Sequence, residues 1–213
     1  YKTVFFTLGI LLIILGIAMI VPVVFQLVYN EFDSTFIISG IITITFGILF
    51  FLSNIDHLKL INTQQAFILT ALSWLSIATF GSLPFFFSEL NLSITDSFFE
   101  SMSGITTTGA TILNNIESSP KGILMWRSML QWLGGIGVIL MAITLMPIMN
   151  IGGMQLLKIS SYDTTDKILP KSKEISKKLI TVYVTLTFLC AFFYKTFGMN
   201  TFDSLTHSMT TIA

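Results

Sequence analysis

The chain has 213 residues, of which 53% are hydrophobic, 13% aromatic and 10% charged, less than half the roughly 25% charge of soluble domains. With a mean hydropathy of +0.83, that composition excludes disorder, collagen-like repeats and an ordinary water-soluble enzyme, and it reads as an integral membrane protein. Basic and acidic residues number 11 each, so no basic excess points to nucleic acid, and the lone Cys190 cannot form an internal disulfide and reads as buried lining.

A helix needs about 20 mostly apolar residues to cross a bilayer. Five stretches qualify: Val4 to Val28, Thr35 to Ser53, Ala66 to Ser88, about Ile123 to Ile148, and Leu179 to about Phe197. The first is too long for a signal peptide and lacks a small-residue cleavage site. Because the chain starts at Tyr1 rather than Met, its true N-terminus is expected upstream. Pro22 and Pro84 fall inside the first and third stretches, where lipid-embedded helices tolerate kinks.

Lysine placement orients the spans. With the N-terminus inside, the inner segments carry eight basic residues and the outer side three, Lys121, Arg127 and Lys195, as the positive-inside rule favours. The acids divide seven outside to four inside. An acidic outer face raises the local cation concentration, although topology sorting alone explains the same pattern. The inner segment 149–178 holds six lysines and three acids and reads as a polar loop that meets either a cytoplasmic partner or anionic lipid.

Residues 89–122 fit neither a short loop nor a span. Ser93 reads as an N-cap with Asp96 three positions on, close to a capping box, and Phe98, Phe99, Met102 and Ile105 follow at helical spacing. This helix of about twelve residues is too short to cross. Past Gly104 come Thr106, Thr107, Thr108, Gly109 and Thr111, β-branched residues and a glycine that favour extended backbone over helix. A half-helix followed by extended chain between two spans describes a re-entrant pore loop. Its carbonyls can face a dehydrated cation, and the half-helix turns its negative end toward the pore. A loop resting on the outer surface is the alternative.

The unit recurs. Residues 96–106 align without gaps on residues 203–213, with five identities in eleven (Asp, Ser, Ser, Met and Ile) and Ser103 opposite Thr210. A repeated span and half-helix implies pseudo-symmetry about one pore. The repeat breaks off at Ala213, where a second extended segment is expected.

At these motifs the sequence resembles the Trk/Ktr superfamily of potassium transporters, specifically its Trk-type (TrkH-like) uptake subunits. The matching residues are Phe99 to Thr111, Trp126 to Gly137, Met146-Pro147, Gly152-Gly153-Met154-Gln155 and His207 to Ala213. The resemblance implies an all-α polytopic membrane protein of K+ channel-like span–pore-loop–span repeats, with two extra N-terminal transmembrane helices. The domains expected are the extra pair at 1–60, a first unit at 61–155, and a cytoplasmic loop with the start of a second unit at 156–213. It implies that Thr107, Thr108 and Gly109 line a filter through their carbonyls, with potassium at Thr107 and Thr108, and that Ala213 opens a second filter strand. It further implies potassium as substrate without any cofactor, a TrkA-like nucleotide-binding regulatory subunit as partner, a homodimer, and the inner membrane of a bacterium with the N-terminus inside.

Glu100 and Arg127 are the costliest charges, because an ionised group at membrane depth needs a partner. They are expected to pair behind the filter and support it, or else to reach interfacial water. Gly134, Gly135 and Gly137 serve close packing or a hinge. His57 and His207 have no neighbours at metal-ligand spacing. An intramembrane hydrolase is the alternative function, yet no Gly-x-Ser-x-Gly, His-Glu-x-x-His or Walker A motif is present. A non-transporting scaffold leaves the repeated half-helices unexplained.

Overall fold

Long apolar stretches fold as helices in lipid because only an internally bonded backbone survives where water is absent. The computed structural model describes residues 1–55, 62–113, 116, 119–149 and 168–213, with 143–149 and 168–173 by backbone alone. The expected boundaries at 60/61 and 155/156, His57 and the Gly152 to Gln155 motif lie outside the described residues. Among the described residues every regular element is helical, and five stretches are long and apolar enough to span a membrane: Lys2–Val28, Thr35–Leu52, Thr63–Phe87, Lys121–Ala142 and Glu174–Thr196. Each coincides with a stretch read from sequence. The chain divides into two compact units, Tyr1–Gly134 and Gly135–Ala213.

In the first unit, α1 (Lys2–Ala18) and α2 (Ile20–Val28) are one span broken at Met19. Pro22 accounts for the break, since it lacks the N–H that would bond Ala18 and its ring crowds that carbonyl. Pro84 does the same between α4 (Thr63–Gly81) and α5 (Leu83–Phe87). The indole Nε1 of the fully buried Trp126 then donates to the orphan Gly81 carbonyl at 2.9 Å. Next to α3 (Thr35–Leu52), α1 runs antiparallel at glycine contacts. A Cβ on Gly9 would sit 2.7 Å from the Gly47 carbonyl, and one on Gly16 would sit 3.1 Å from the Gly40 carbonyl. Such small-residue contacts let backbones approach where lipid supplies no hydrophobic drive.

The short α6 (Ile94–Ile105) begins at Ser93, whose hydroxyl accepts from Asp96 N at 3.1 Å. It packs between α4 and the start of α7 (Lys121–Met149), again through small residues. A Cβ on Gly81 would come 2.8 Å from Ser101 Oγ, and one on Gly104 would come 3.1 Å from Leu130 Cβ.

The second unit holds the remainder of α7, then α8 (Ile168–Thr196) and α9 (Thr201–Ile212). Helix α8 starts at Ile168 rather than at Leu179, so part of the expected polar loop is helix. Lys171, Lys173, Lys177 and Lys178 ride on this extension, because Lys, Glu and Ile carry good or tolerable helix propensity and Pro170 falls in the first turn. Cys190 is half-buried on α8 rather than buried lining. The turn into α9 passes through Gly198 at φ +104, and Tyr194 and Thr211 hydroxyls meet at 2.9 Å.

The distribution of side chains is that of a molecule solvated by lipid. Ser39, Thr43, Glu100 and Ser101 are fully buried, while Ile14, Phe188 and Phe192 are among the most exposed residues. Hydroxyls inside the spans bond their own backbone, as when Thr43 donates to Ser39 O and Thr187 to Tyr183 O.

Candidate functional site

The twelve-residue helix α6 ends with Thr106 as its C-cap. Thr107 follows at φ +58, the left-handed conformation usual for the residue after a cap, here held by a β-branched side chain. Its N–H donates to Gly104 O at 2.9 Å and that of Thr108 to Ser103 O at 3.0 Å, a Schellman closure. Gly109 also donates to Ser103 O, at 3.3 Å, and has φ +74. Three successive N–H groups are therefore tied back to the helix end. Among the described residues, no donor reaches the carbonyl oxygens of Thr107 and Thr108. The Gly109 carbonyl is engaged, accepting from Arg127 Nη2 at 2.9 Å, and the Ala110 carbonyl accepts from Ser103 Oγ at 2.6 Å.

Behind this loop lies an ion pair. Arg127 Nε donates to Glu100 Oε1 at 2.5 Å, with the Glu100 side chain fully buried and that of Arg127 14% exposed. Glu100 Oε2 accepts from Thr111 Oγ1 and from Ile112 N, both at 3.1 Å. The carboxylate is saturated by three donors, which offsets the cost of burying it. Glu100 thus faces no interfacial water. The pair ties α6 to α7 and, through Thr111, Ile112 and the Gly109 carbonyl, to both ends of the loop's second half.

The site therefore brings together Thr107, Thr108, Gly109, Glu100 and Arg127. Ala213 belongs to the second unit, where it caps α9 through a 3.2 Å bond from its N–H to Met209 O, and a Cβ on Gly135 would come 3.1 Å from its Cα. Every boundary of α9 lies 107 positions beyond its counterpart in α6: Asn200 after Ser93, Thr201 after Ile94, and Ile212 after Ile105. The repeat extends to the cap, as Asn200 Oδ1 accepts from Asp203 N at 2.8 Å.

Sequence reasoning missed Ser103 and Thr111, whose hydroxyls hold the loop. The pairing of Ser103 with Thr210 in the repeat was the available signal for the first. The signal for Thr111 was absent, since an acceptor for its hydroxyl comes from eleven residues upstream. Gly134 belongs to packing, because a Cβ there would lie 1.9 Å from the Ile105 carbonyl at the end of α6, whereas a Cβ on Gly137 would meet nothing within 4 Å.

The family model described as TrkH, cation transport protein, matches residues 33–213. The chain is 38% identical over 207 residues to the Trk system potassium uptake protein TrkI of Halomonas elongata, covering 97% of this chain and 42% of that protein. It is 38% identical over 213 residues to the Trk system potassium uptake protein TrkH of Escherichia coli K12, covering 96% of this chain and 43% of that one. The crystal structure of the potassium transporter TrkH from Vibrio parahaemolyticus superposes with a TM-score of 0.81 at 32% identity, over 98% of this chain and 42% of that chain. The chain thus spans less than half the length of these relatives. The family match over residues 33–213, together with these two relatives and the shared fold, settles the assignment: the chain belongs to the TrkH family of cation transport proteins.

Proposed function

We propose that this chain forms the first part of a potassium uptake subunit and contributes one filter strand to a potassium path. The observation that carries this reading is the pair of Thr107 and Thr108 carbonyls. Among the described residues they have no protein donor, and they stand at the negative end of a half-helix whose last turn takes the N–H groups of Thr107, Thr108 and Gly109. Oxygen dipoles so placed can replace water around a cation without carrying net charge, which lets an ion bind and still leave. Gly109 supplies the positive φ that the loop needs, and its carbonyl is anchored on Arg127. Glu100 and Arg127 would keep the loop from collapsing onto the ion. Ala213 is read as the start of a second strand on the strength of the 107-residue repeat.

The names of the relatives support potassium as the cargo, and the path needs no cofactor. By the same resemblance the complete protein resides in the inner membrane of a bacterium with its N-terminus inside, pairs as a homodimer, and engages a TrkA-like nucleotide-binding subunit. Lys177 and Lys178, exposed on α8, are available for that contact.

The test is cation flux through the complete protein in proteoliposomes, comparing potassium, rubidium and sodium with and without Gly109→Ser. Potassium and rubidium should exceed sodium, and the substitution should erode that preference. Flux indifferent to residue 109 would overturn the filter assignment.

A further inference from the structure

We infer that Ser103, near the end of α6, is a specificity-determining positioning residue: its carbonyl and its hydroxyl set which way the peptide groups from Thr107 to Ala110 face. This role rests on the filter reading above, for which it names the orienting residue. Ser103 alone meets three successive loop positions. Its carbonyl accepts from the N–H of Thr108 at 3.0 Å and from that of Gly109 at 3.3 Å, and its Oγ donates to the Ala110 carbonyl at 2.6 Å.

The orienting effect follows from the planar trans peptide, in which the N–H and the C=O of the residue before it point in opposite directions. The N–H of Thr108 shares a plane with the carbonyl of Thr107, and the N–H of Gly109 shares one with the carbonyl of Thr108. Drawing both N–H groups to a single oxygen on α6 therefore turns the carbonyls of Thr107 and Thr108 away from that helix. The Ala110 carbonyl is turned the other way, because Ser103 Oγ draws it toward α6. The loop thus reverses its polarity between Thr108 and Ala110, and Gly109, at φ +74, gives the backbone the freedom to do so.

The hydroxyl of Ser103 is diverted from the local bond such groups usually make. Inside helices, serine and threonine donate to a carbonyl of the preceding turn, as Ser204, Ser208 and Thr210 do on α9. Thr210 is the counterpart of Ser103 in the repeat, so the two positions share a hydroxyl and differ in its partner. Ser103 is also rigidly seated: it is buried, and a Cβ on the adjacent Gly104 would come 3.1 Å from Leu130 Cβ. An orienting group on a fixed helix end passes its precision to the loop it holds. Without the hydroxyl, the Ala110 carbonyl has no donor among the described residues. The peptide beside Gly109 is then free to swing, which removes the fixed oxygen geometry on which discrimination between alkali cations depends.

The test is cation flux through the complete protein in proteoliposomes for the parent, Ser103→Ala, Ser103→Cys, Ser103→Thr and Gly109→Ser, with the melting temperature of each in detergent. Ser103→Ala should lower the rubidium-to-sodium flux ratio about fivefold, the factor that one net hydrogen bond represents. Ser103→Thr keeps the hydroxyl, and threonine already stands at the matching position 210, so it should rescue the ratio. The thiol of Ser103→Cys is a weak donor and should give a ratio between the two. If the alanine variant fails to fold, Ser103→Cys against Ser103→Thr makes the same comparison. A parent ratio in Ser103→Ala beside a lowered one in Gly109→Ser would overturn the role of Ser103 and leave the filter standing. Parent ratios in both would overturn the filter reading, and the role of Ser103 with it. Equal losses in Ser103→Ala and Ser103→Thr, at melting temperatures near that of the parent, would overturn the part given to the hydroxyl.

Discussion

The Glu100–Arg127 pair joins two structural jobs. Arg127 neutralises a fully buried carboxylate through Nε and holds the Gly109 carbonyl through Nη2. Removing the arginine alone leaves Glu100 buried with only Thr111 and Ile112 as donors, and breaking one partner of a buried pair costs about 3–5 kcal/mol. Arg127→Gln is therefore expected to lower the melting temperature of the complete protein in detergent sharply. Glu100→Gln/Arg127→Gln, in which two amides can face each other, should recover much of that loss. If the double variant is as unstable as the sum of the two single ones, the residues do not act as a pair. The same cycle read by the rubidium-to-sodium flux ratio should show selectivity still impaired in the double variant, because the Gly109 carbonyl has lost its guanidinium donor.

At the scale of elements, glycines divide into those that need their backbone angle and those that need their lack of a side chain. Gly109 is the first kind, with φ +74 and nothing nearer to an added Cβ than Gln131 Nε2 at 3.8 Å. Gly134 is the second kind, with the Ile105 carbonyl at 1.9 Å from an added Cβ. A left-handed non-glycine residue costs about 1–2 kcal/mol, so Gly109→Ser should fold with a modest drop in melting temperature and lose selectivity. Gly134→Ala must push α7 off the end of α6 and should fail to yield folded protein, while Gly137→Ala should match the parent in melting temperature. Equal stability of the two alanine variants would overturn this division. The contrast also marks what was legible in the sequence. Spans, the proline breaks near Met19 and Ser82, and the Ser93 cap all rest on local chemistry, so they could be read directly. The roles of Gly134 and Gly137 could not be told apart, since both sit in one Gly-Gly-Ile-Gly run and differ only in what tertiary packing brings beside them. The α8 extension was misread for a related reason: its lysines signal solvent, and solvent is compatible with helix as well as loop. Within the site, the threonine and glycine composition marked the loop, and membrane cost marked Glu100 and Arg127. That Arg127 would take the Gly109 carbonyl, while those of Thr107 and Thr108 have no donor among the described residues, depends on a contact between residues 18 apart in sequence.

For the whole molecule, the side of the membrane that each charged region meets follows from the lysines of the second unit and the number of spans between them and the acids of the first. In the first, Glu31, Asp33 and Glu89 gather at the turn after the first span. In the second, Lys171, Lys173, Lys177 and Lys178 occupy the start of α8. Basic residues flanking spans are retained on the cytoplasmic side, so the lysine extension of α8 should lie inside and the acidic turn, three spans earlier in the chain, outside. Single cysteines in an otherwise cysteine-free version of the complete protein check this. Thr95 and Ser53 are both exposed and lie at opposite ends of their spans' connections, Thr95 in the first turn of α6 and Ser53 just after α3. A membrane-impermeant maleimide should label Thr95→Cys in intact cells and Ser53→Cys only after permeabilisation. The opposite pattern would invert the orientation. The acidic turn and the N-terminal end of α6 would then face the cytoplasm, and the lysines would require an explanation other than topology.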